Sequence, residues 1–322
     1  MYVYVIADYY APFRQKVPPP IKLDTGGHMV TGMAELDGNI YATLNLAQTI
    51  IVFATRQSFR RLDDISIDKM ADPSDMAACP TNGHLFISDW KGHCIWMVKI
   101  DISDDHEISD AKPISCVAIP WLEKAEEVGS PRSISVTKDG VVLFVDADSA
   151  KGELNIYSPE NQEPLAVVNL KDRGMNWVWH AIGSQANTQT ILNDGKPANT
   201  YIVSHGYQKP GLHRVCEIDE NGEILKEFGE QCGNKPGQLC KPGHLAMGVN
   251  GFIFVMDDDG VMVLDEELRM QRVLVRCPPE VKRHWPPPRL TYVKETGRLL
   301  VAWQCGYIHV YDLLQSSATQ IK

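Results

Sequence analysis

An all-β fold, a closed ring of six four-stranded antiparallel blades, follows from three features of the amino-acid sequence. Short β-rich runs recur at wide intervals, most of them beginning at a Gly-marked turn. No stretch sustains the i, i+3, i+4, i+7 apolar spacing that a layer of helices requires. Turn formers are plentiful, with 24 Gly and 20 Pro in 322 residues. A turn-plus-strand unit recurring about every 40–50 residues is how a β-propeller appears in sequence.

The clearest unit is Pro242–Asp265, PGHLAMGVNGFIFVMDDDGVMVLD. An apolar run (His244–Val249) meets Asn250-Gly251, which accept the φ > 0 geometry of a tight hairpin, and Phe252–Met256 returns. Asp257-Asp258-Asp259-Gly260 then turns the chain into Val261–Leu264. Taking the end of the second strand as a marker, matching positions are Thr43, Asp89, Asp146, Ser204, Asp257 and Trp303. Their spacings are 46, 57, 58, 53 and 46 residues. Six markers predict six blades.

In chain order, YVYVI at Tyr2–Ile6 reads as a strand, and Pro12 to Pro20 as a connector. Blade one is expected over about 30–70 (GMAEL, NIYATL, TIIVFA, then Ile65–Ile67). Blade two covers about 71–121 (DMAAC, HLFISD, CIWMVKI, ISCVAIP), with an acidic loop at 101–110. Blade three covers about 128–170, and blade four about 176–229 with a polar insertion at Ser184–Thr200. Blade five is the unit above, and blade six spans about 286–313. Blade six lacks a fourth strand, so Tyr2–Ile6 or Ile21–Leu23 is expected to supply it and close the ring, which leaves no open sheet edge at the seam. The expected organisation is 1–29 as closing strand and connector, 30–315 as the propeller, and 316–322 as a polar tail.

Composition narrows the partners. Formal charge is −10, from 41 acidic against 31 basic residues. An acidic surface repels phosphate at long range, which disfavours DNA, anionic membranes and, to a lesser degree, RNA. Arg56, Arg60 and Arg61, and the run Lys282-Arg283-His284, are the only basic clusters, and they read as solvated loop charge. The eight cysteines include no CxxC pair, so a zinc finger is not indicated. Cys232 and Cys240 flank one loop, where a pairing is the alternative and reduced thiols are the expectation. MYVYVIADYY has only seven residues before Asp8 and no basic start, too short for a signal peptide or span; the expectation is a cytoplasmic protein.

The stretch EILKEFGEQCGNKPGQLCKPGHLAMGVNGFIFVMDDDGVMVLD resembles the NHL repeat, with Phe228, Gly229, Gly237, Gln238, Pro242, His244, Ala246, Gly251 and Asp257 in the matching places. Blades two and three repeat the pattern more weakly. The segment WVWHAI…YIVSHG…LHRVCEIDENGEILKEFG is similar to the propellers that end the tripartite-motif proteins and their invertebrate relatives; the resemblance spans nearly the whole chain, with its specific motifs in blades four and five. That resemblance implies a non-enzymatic six-bladed binding platform for a protein partner, with RNA as the alternative. No RING or B-box array of Cys and His accompanies it in this sequence.

Aligning the blades places one residue of each at the entrance of its first strand: Gly32, Asp75, Ser133, His180, His244 and Arg289. First strands line the channel of a propeller, so these are expected to ring one channel mouth and, with Arg132 and Trp179, to contact a protein partner. His180, His244 and Asp75 are also the candidate ligands for zinc or calcium, an arrangement that resembles the zinc-holding histidines of amidating lyase propellers. A third histidine is missing, so no metal, cofactor or catalytic residue is assigned; a metal-dependent lyase or hydrolase is the remaining alternative. Asp257-Asp258-Asp259-Gly260 lacks the closing Glu of a calcium loop. Asp89, Asp146 and Asp257 are instead expected to accept hydrogen bonds from turn backbone. Trp90, Trp177, Trp303 and Tyr207 are further aromatic candidates for a contact surface. No nucleophile elbow or phosphate-cradling loop is present.

Overall fold

The computed structural model describes residues 17–101, 115–123, 129–146, 152–184, 199–206, 211–233, 235, 237–279, 281, 287–294 and 296–313. They form six antiparallel blades of four strands each, with almost no helix beyond short 3₁₀ turns. The six first strands, which line the channel, are Val30–Leu36, Pro73–Cys79, Pro131–Val136, Val178–Gly183, Leu245–Met247 and Arg289–Val293. Each packs against the next, and the sixth against the first, which completes the ring.

The second strands, Asn39–Leu44, His84–Asp89, Val142–Asp146, Tyr201–His205, Ile253–Asp257 and Arg298–Ala302, are almost wholly buried. Blades stack on both of their faces, so these strands read as continuous apolar runs and not as alternating ones. The core is accordingly divided into six apolar clusters, one per blade–blade interface. The cluster between blades one and two joins Tyr41, Ile50 and Val52 to Met76, Leu85 and Trp96. The one that closes the ring joins Ile40, Ile51 and Phe53 to Leu300, Ile308 and Val310.

Closure uses Ile21–Asp24, which pairs antiparallel with the third strand of blade six, Tyr307–Asp312; Ile21 faces Val310 and Leu23 faces Ile308. Of the two expected donors this is the second, and Tyr2–Ile6 lies outside the described residues. The acidic loop of blade two, most of the insertion at 184–200, Lys282-Arg283-His284 and Tyr207 also lie outside them. In blade one the outer strand is split into Arg60–Arg61 and Ile65–Ser66, both on Thr49–Ala54.

Register corrects two markers. Val30 pairs with Leu44, Pro73 with Asp89, Pro131 with Asp146 and Val178 with His205. Equivalent positions are therefore Leu44 and His205, one residue beyond Thr43 and Ser204. Where the Asp is present it pins the strand end. Asp89 accepts from Ala71 N, Asp72 N and Gly92 N, Asp146 from Ser130 N, and Asp257 from Cys240 N. Each carboxylate thus ties its strand to the connection arriving from the preceding blade. Blades one, four and six lack this side chain.

Cys232 and Cys240 are joined in a disulfide, correcting the expected reduced thiols. Gly233 N donates to Leu239 O, a bond between the neighbours of the two cysteines that brings them together. Among the described residues no helix is long and apolar enough to cross a membrane.

Candidate functional site

The site grows from a backbone irregularity shared by four blades. Pairing shifts by one residue between Val30 and Gly32, Pro73 and Asp75, Pro131 and Ser133, and Val178 and His180. Such a bulge adds one residue to one strand and re-aims the side chains beside it. It sets Thr31, Ser74, Arg132 and Trp179 aside as the extra residues and turns the next residue of each blade toward the channel axis.

The ring predicted from sequence is therefore present, but inside the channel and not at an open mouth. Asp75 is wholly buried, and Ser133, His180, His244 and Arg289 are nearly so. The reason is mutual satisfaction across the channel. The Asp75 carboxylate accepts from Met76 N (2.9 Å), from Ile134 N of blade three (3.1 Å) and from His244 Nε2 of blade five (3.2 Å). His180 Nε2 of blade four stands 3.5 Å from it, and Arg289 Nε of blade six 3.6 Å. Arg289 then donates to Thr31 O of blade one (2.6 Å), Ser74 O of blade two (2.7 Å) and Pro287 O (3.0 Å). Two side chains thus touch all six blades. Gly32 fits because a Cβ there would lie 2.4 Å from Met76 N.

Electrostatics follow from this packing. Burial alone would raise the Asp75 carboxyl, but His244, Arg289 and His180 outweigh it and hold it at about 2. Burial, together with His244 and Arg289, pushes the His180 imidazole well below its ordinary value against the pull of Asp75. Burial also lowers Arg289, with Asp75 opposing. The two imidazoles lie 3.8 Å apart between centroids. Among the described residues, His180 Nε2 and His244 Nδ1 have no hydrogen-bond partner.

Above this cluster the channel widens into a cavity of about 730 Å³. Its wall repeats the ring position two residues further along each first strand: Ala34, Ala77, Ser135, Ile182, Ala246 and Thr291. Alternation along a strand puts i and i+2 on one face, and the mostly small side chains there leave the space open. The lining runs from His180 and His244 to the exposed turn residues Lys138 and Asp139. The cavity therefore opens on the face that carries the turns between first and second strands.

Sequence reasoning missed these wall positions, although the i+2 rule applied to the ring would have found them. Arg132 and Trp179 are apart from the cavity: the guanidinium sits over the indole at 4.9 Å, and Trp179 Nε1 donates to Gly206 O. Trp303 is fully buried between blades, which removes it as a contact residue, whereas Trp90 is 37% exposed.

Donor atoms of Asp75, His180 and His244 lie within 4.8 Å of one another. The set does not suit a divalent cation, because Arg289 already supplies a positive charge to Asp75 and both carboxylate oxygens accept backbone N–H groups. Asp257-Asp258-Asp259 does not converge either: Asp257 holds Cys240 N and Asp258 faces Lys241 Nζ at 3.8 Å. Burial, then Asp258 and Asp259, raise the Asp257 carboxyl to about 7 against the Cys240 N–H that opposes them.

No family model and no curated protein matches the sequence. Solved structures do. The β-propeller domain of Cps50 (Swd1) from Myceliophteria thermophila superposes with a TM-score of 0.51 at 12% identity, over 88% of this chain and 82% of that one. Hydrazine synthase of Kuenenia stuttgartiensis gives 0.53 at 10% identity, over 92% and 96%. At such identities the likeness concerns the fold alone. The chain is a six-bladed β-propeller.

Proposed function

We propose that this propeller is a non-enzymatic scaffold of the NHL-like kind, which takes a protein partner on the face where the cavity opens. One observation carries the reading: a channel with small, largely apolar wall residues, floored by a buried polar cluster and reaching the exposed turns of one face. A floor of buried, mutually paired side chains favours insertion of a segment over passage through the ring. An extended segment of a partner fits a channel of this size, with its tip against His180 and His244. The overall charge of −10 favours a basic partner.

The test is a selection of displayed random peptides on the immobilised protein. Ala77 and Ala246 stand on blades two and five, opposite each other in the ring, and Ala77→Trp with Ala246→Trp would fill the cavity. Selected peptides are expected to lose binding at least tenfold on the filled variant, with its thermal midpoint within a few degrees of the parent. Peptides that bind both proteins equally, or a selection that yields none, would reject the channel as the binding site.

A further inference from the structure

A second cluster lies away from the channel, where blade four hands the chain to blade five. His213 precedes the third strand of blade four, Arg214–Ile218, and is fully buried. Cys232 and Cys240 belong to the connection that follows Ile224–Phe228. One donor atom of each of the three residues lies within 4.8 Å of the other two. We propose that His213, Cys232 and Cys240 bind a thiophilic divalent cation of the zinc class once the Cys232–Cys240 disulfide is reduced.

Two thiolates and one imidazole form the donor set that zinc prefers, and three protein ligands leave a fourth position for water or an external ligand. Metal–ligand bonds of about 2.0–2.3 Å put tetrahedral donors roughly 3.5 Å apart, within the 4.8 Å that bounds the three donors here, and the two sulfurs separate to that distance once their bond is reduced. Charge balance also suits a buried site, since two thiolates neutralise a divalent cation and leave no net charge to bury.

The backbone holds the cysteines in place without the S–S bond. Gly233 N donates to Leu239 O at 3.2 Å, and Cys240 N donates to Asp257 Oδ1 at 2.8 Å. Lys241 N donates to His213 Nδ1 at 2.8 Å, so coordination through Nδ1 replaces that hydrogen bond.

The chemistry balances with a dithiol reductant. Its two thiols give two electrons and two protons and become a disulfide, while the Cys232–Cys240 bond becomes two S–H groups. The cation then displaces both thiol protons to solvent. Oxidised protein has no thiolates to offer at this place, so occupancy follows the thiol–disulfide state.

Cobalt(II) is the probe. Intact protein is reduced with a phosphine, freed of it anaerobically and titrated. One equivalent of cobalt is expected to produce thiolate-to-cobalt charge-transfer absorption with tetrahedral ligand-field bands. The same bands should be absent from oxidised protein and from Cys232→Ser, and unchanged in His244→Gln. His213→Gln should weaken cobalt binding at least tenfold if it folds. X-ray absorption of the zinc-loaded parent gives the ligand set independently, with two sulfurs and an imidazole expected. Reduced, folded protein without the charge-transfer band, a band that survives Cys232→Ser, or a zinc spectrum without imidazole would each overturn the proposal.

Discussion

His244 Nε2 donates to the Asp75 carboxylate at 3.2 Å, joining blades two and five across the centre of the ring between residues 169 positions apart. Because Asp75 also takes a backbone N–H from blade three and faces the His180 imidazole of blade four and the Arg289 guanidinium of blade six, it acts as a hub for the channel.

Removing the hub leaves Arg289 buried without its counter-charge. Asp75→Ala is expected to cost about 3–5 kcal/mol, the usual result of breaking one side of a buried pair. Replacing both partners, as in Asp75→Ala with Arg289→Met, should recover part of that loss. Chemical denaturation of the three proteins decides it. A double variant less stable than Asp75→Ala would show that the hydrogen bonds of Arg289 to Thr31 and Ser74, and not the charge pair, dominate.

Gly32 occupies the ring position of blade one because the first strand of blade two runs against it. Gly32→Ala would push a methyl into the Asp75–Met76 backbone, and overpacking of this kind costs about 1–3 kcal/mol. Gly243→Ala is the matched control, since its Cβ would meet only ordinary contacts, Met256 O at 3.8 Å and Lys241 O at 4.0 Å. The control should be neutral or slightly stabilised through reduced freedom of the unfolded chain. Equal thermal midpoints for the two variants would refute the close approach.

Acid should unfold the protein through its buried histidines. Burial, with Arg214 and His213, lowers His205 to about 4, and His180 is depressed as well. A folded-state value below the unfolded 6.5 means that the fold favours the neutral imidazole. The stability this represents is present above pH 6.5 and falls as pH drops toward 4, by about 3 kcal/mol for His205. Asp75 works in the same direction at lower pH, since there too the fold favours the deprotonated form. Its folded value of about 2 lies below the unfolded 3.8, so its contribution persists to about pH 4 and disappears between there and pH 2. Asp257, raised to about 7, contributes in the opposite sense over the same range, so the test is a difference: between pH 7.5 and 4.5 the urea midpoint of the parent should fall relative to that of His205→Asn. Parallel slopes would remove His205 from the account.

The blade count and the ring of channel residues were legible because both rest on period. Apolar runs ending in Asp89, Asp146 and Asp257 carry the repeat, and a residue counted back from each lands on the first strand. The count slipped by one at Thr43 and Ser204, where no Asp marks the end and nothing in a uniformly apolar run fixes the register. Burial of the ring was not legible. It depends on Asp75, His244 and Arg289 meeting across the channel, and contacts over such sequence distances leave no local pattern. The grouping of His213 with Cys232 and Cys240 is hidden in the same way, since their spacing fits no short ligand motif.

The seam gives the last prediction. Leu23 is 5% exposed and packs in the cluster shared by blades six and one, whereas Ile21 on the same strand is 52% exposed. Leu23→Ala should cost about 2–5 kcal/mol as a buried truncation, and Ile21→Ala less than about 0.5 kcal/mol. The loss should also be local before it is global, because Ile21–Asp24 is four residues long and is held in its sheet by one neighbour, Tyr307–Asp312. Once that strand loosens, the amides of Tyr307–Asp312 that face it become an open sheet edge. Hydrogen exchange on Leu23→Ala is expected to quicken at 307–312 ahead of the second strands of blades two to five. Uniform quickening around the ring would mean that the seam has no stability of its own and that the propeller opens only as a whole.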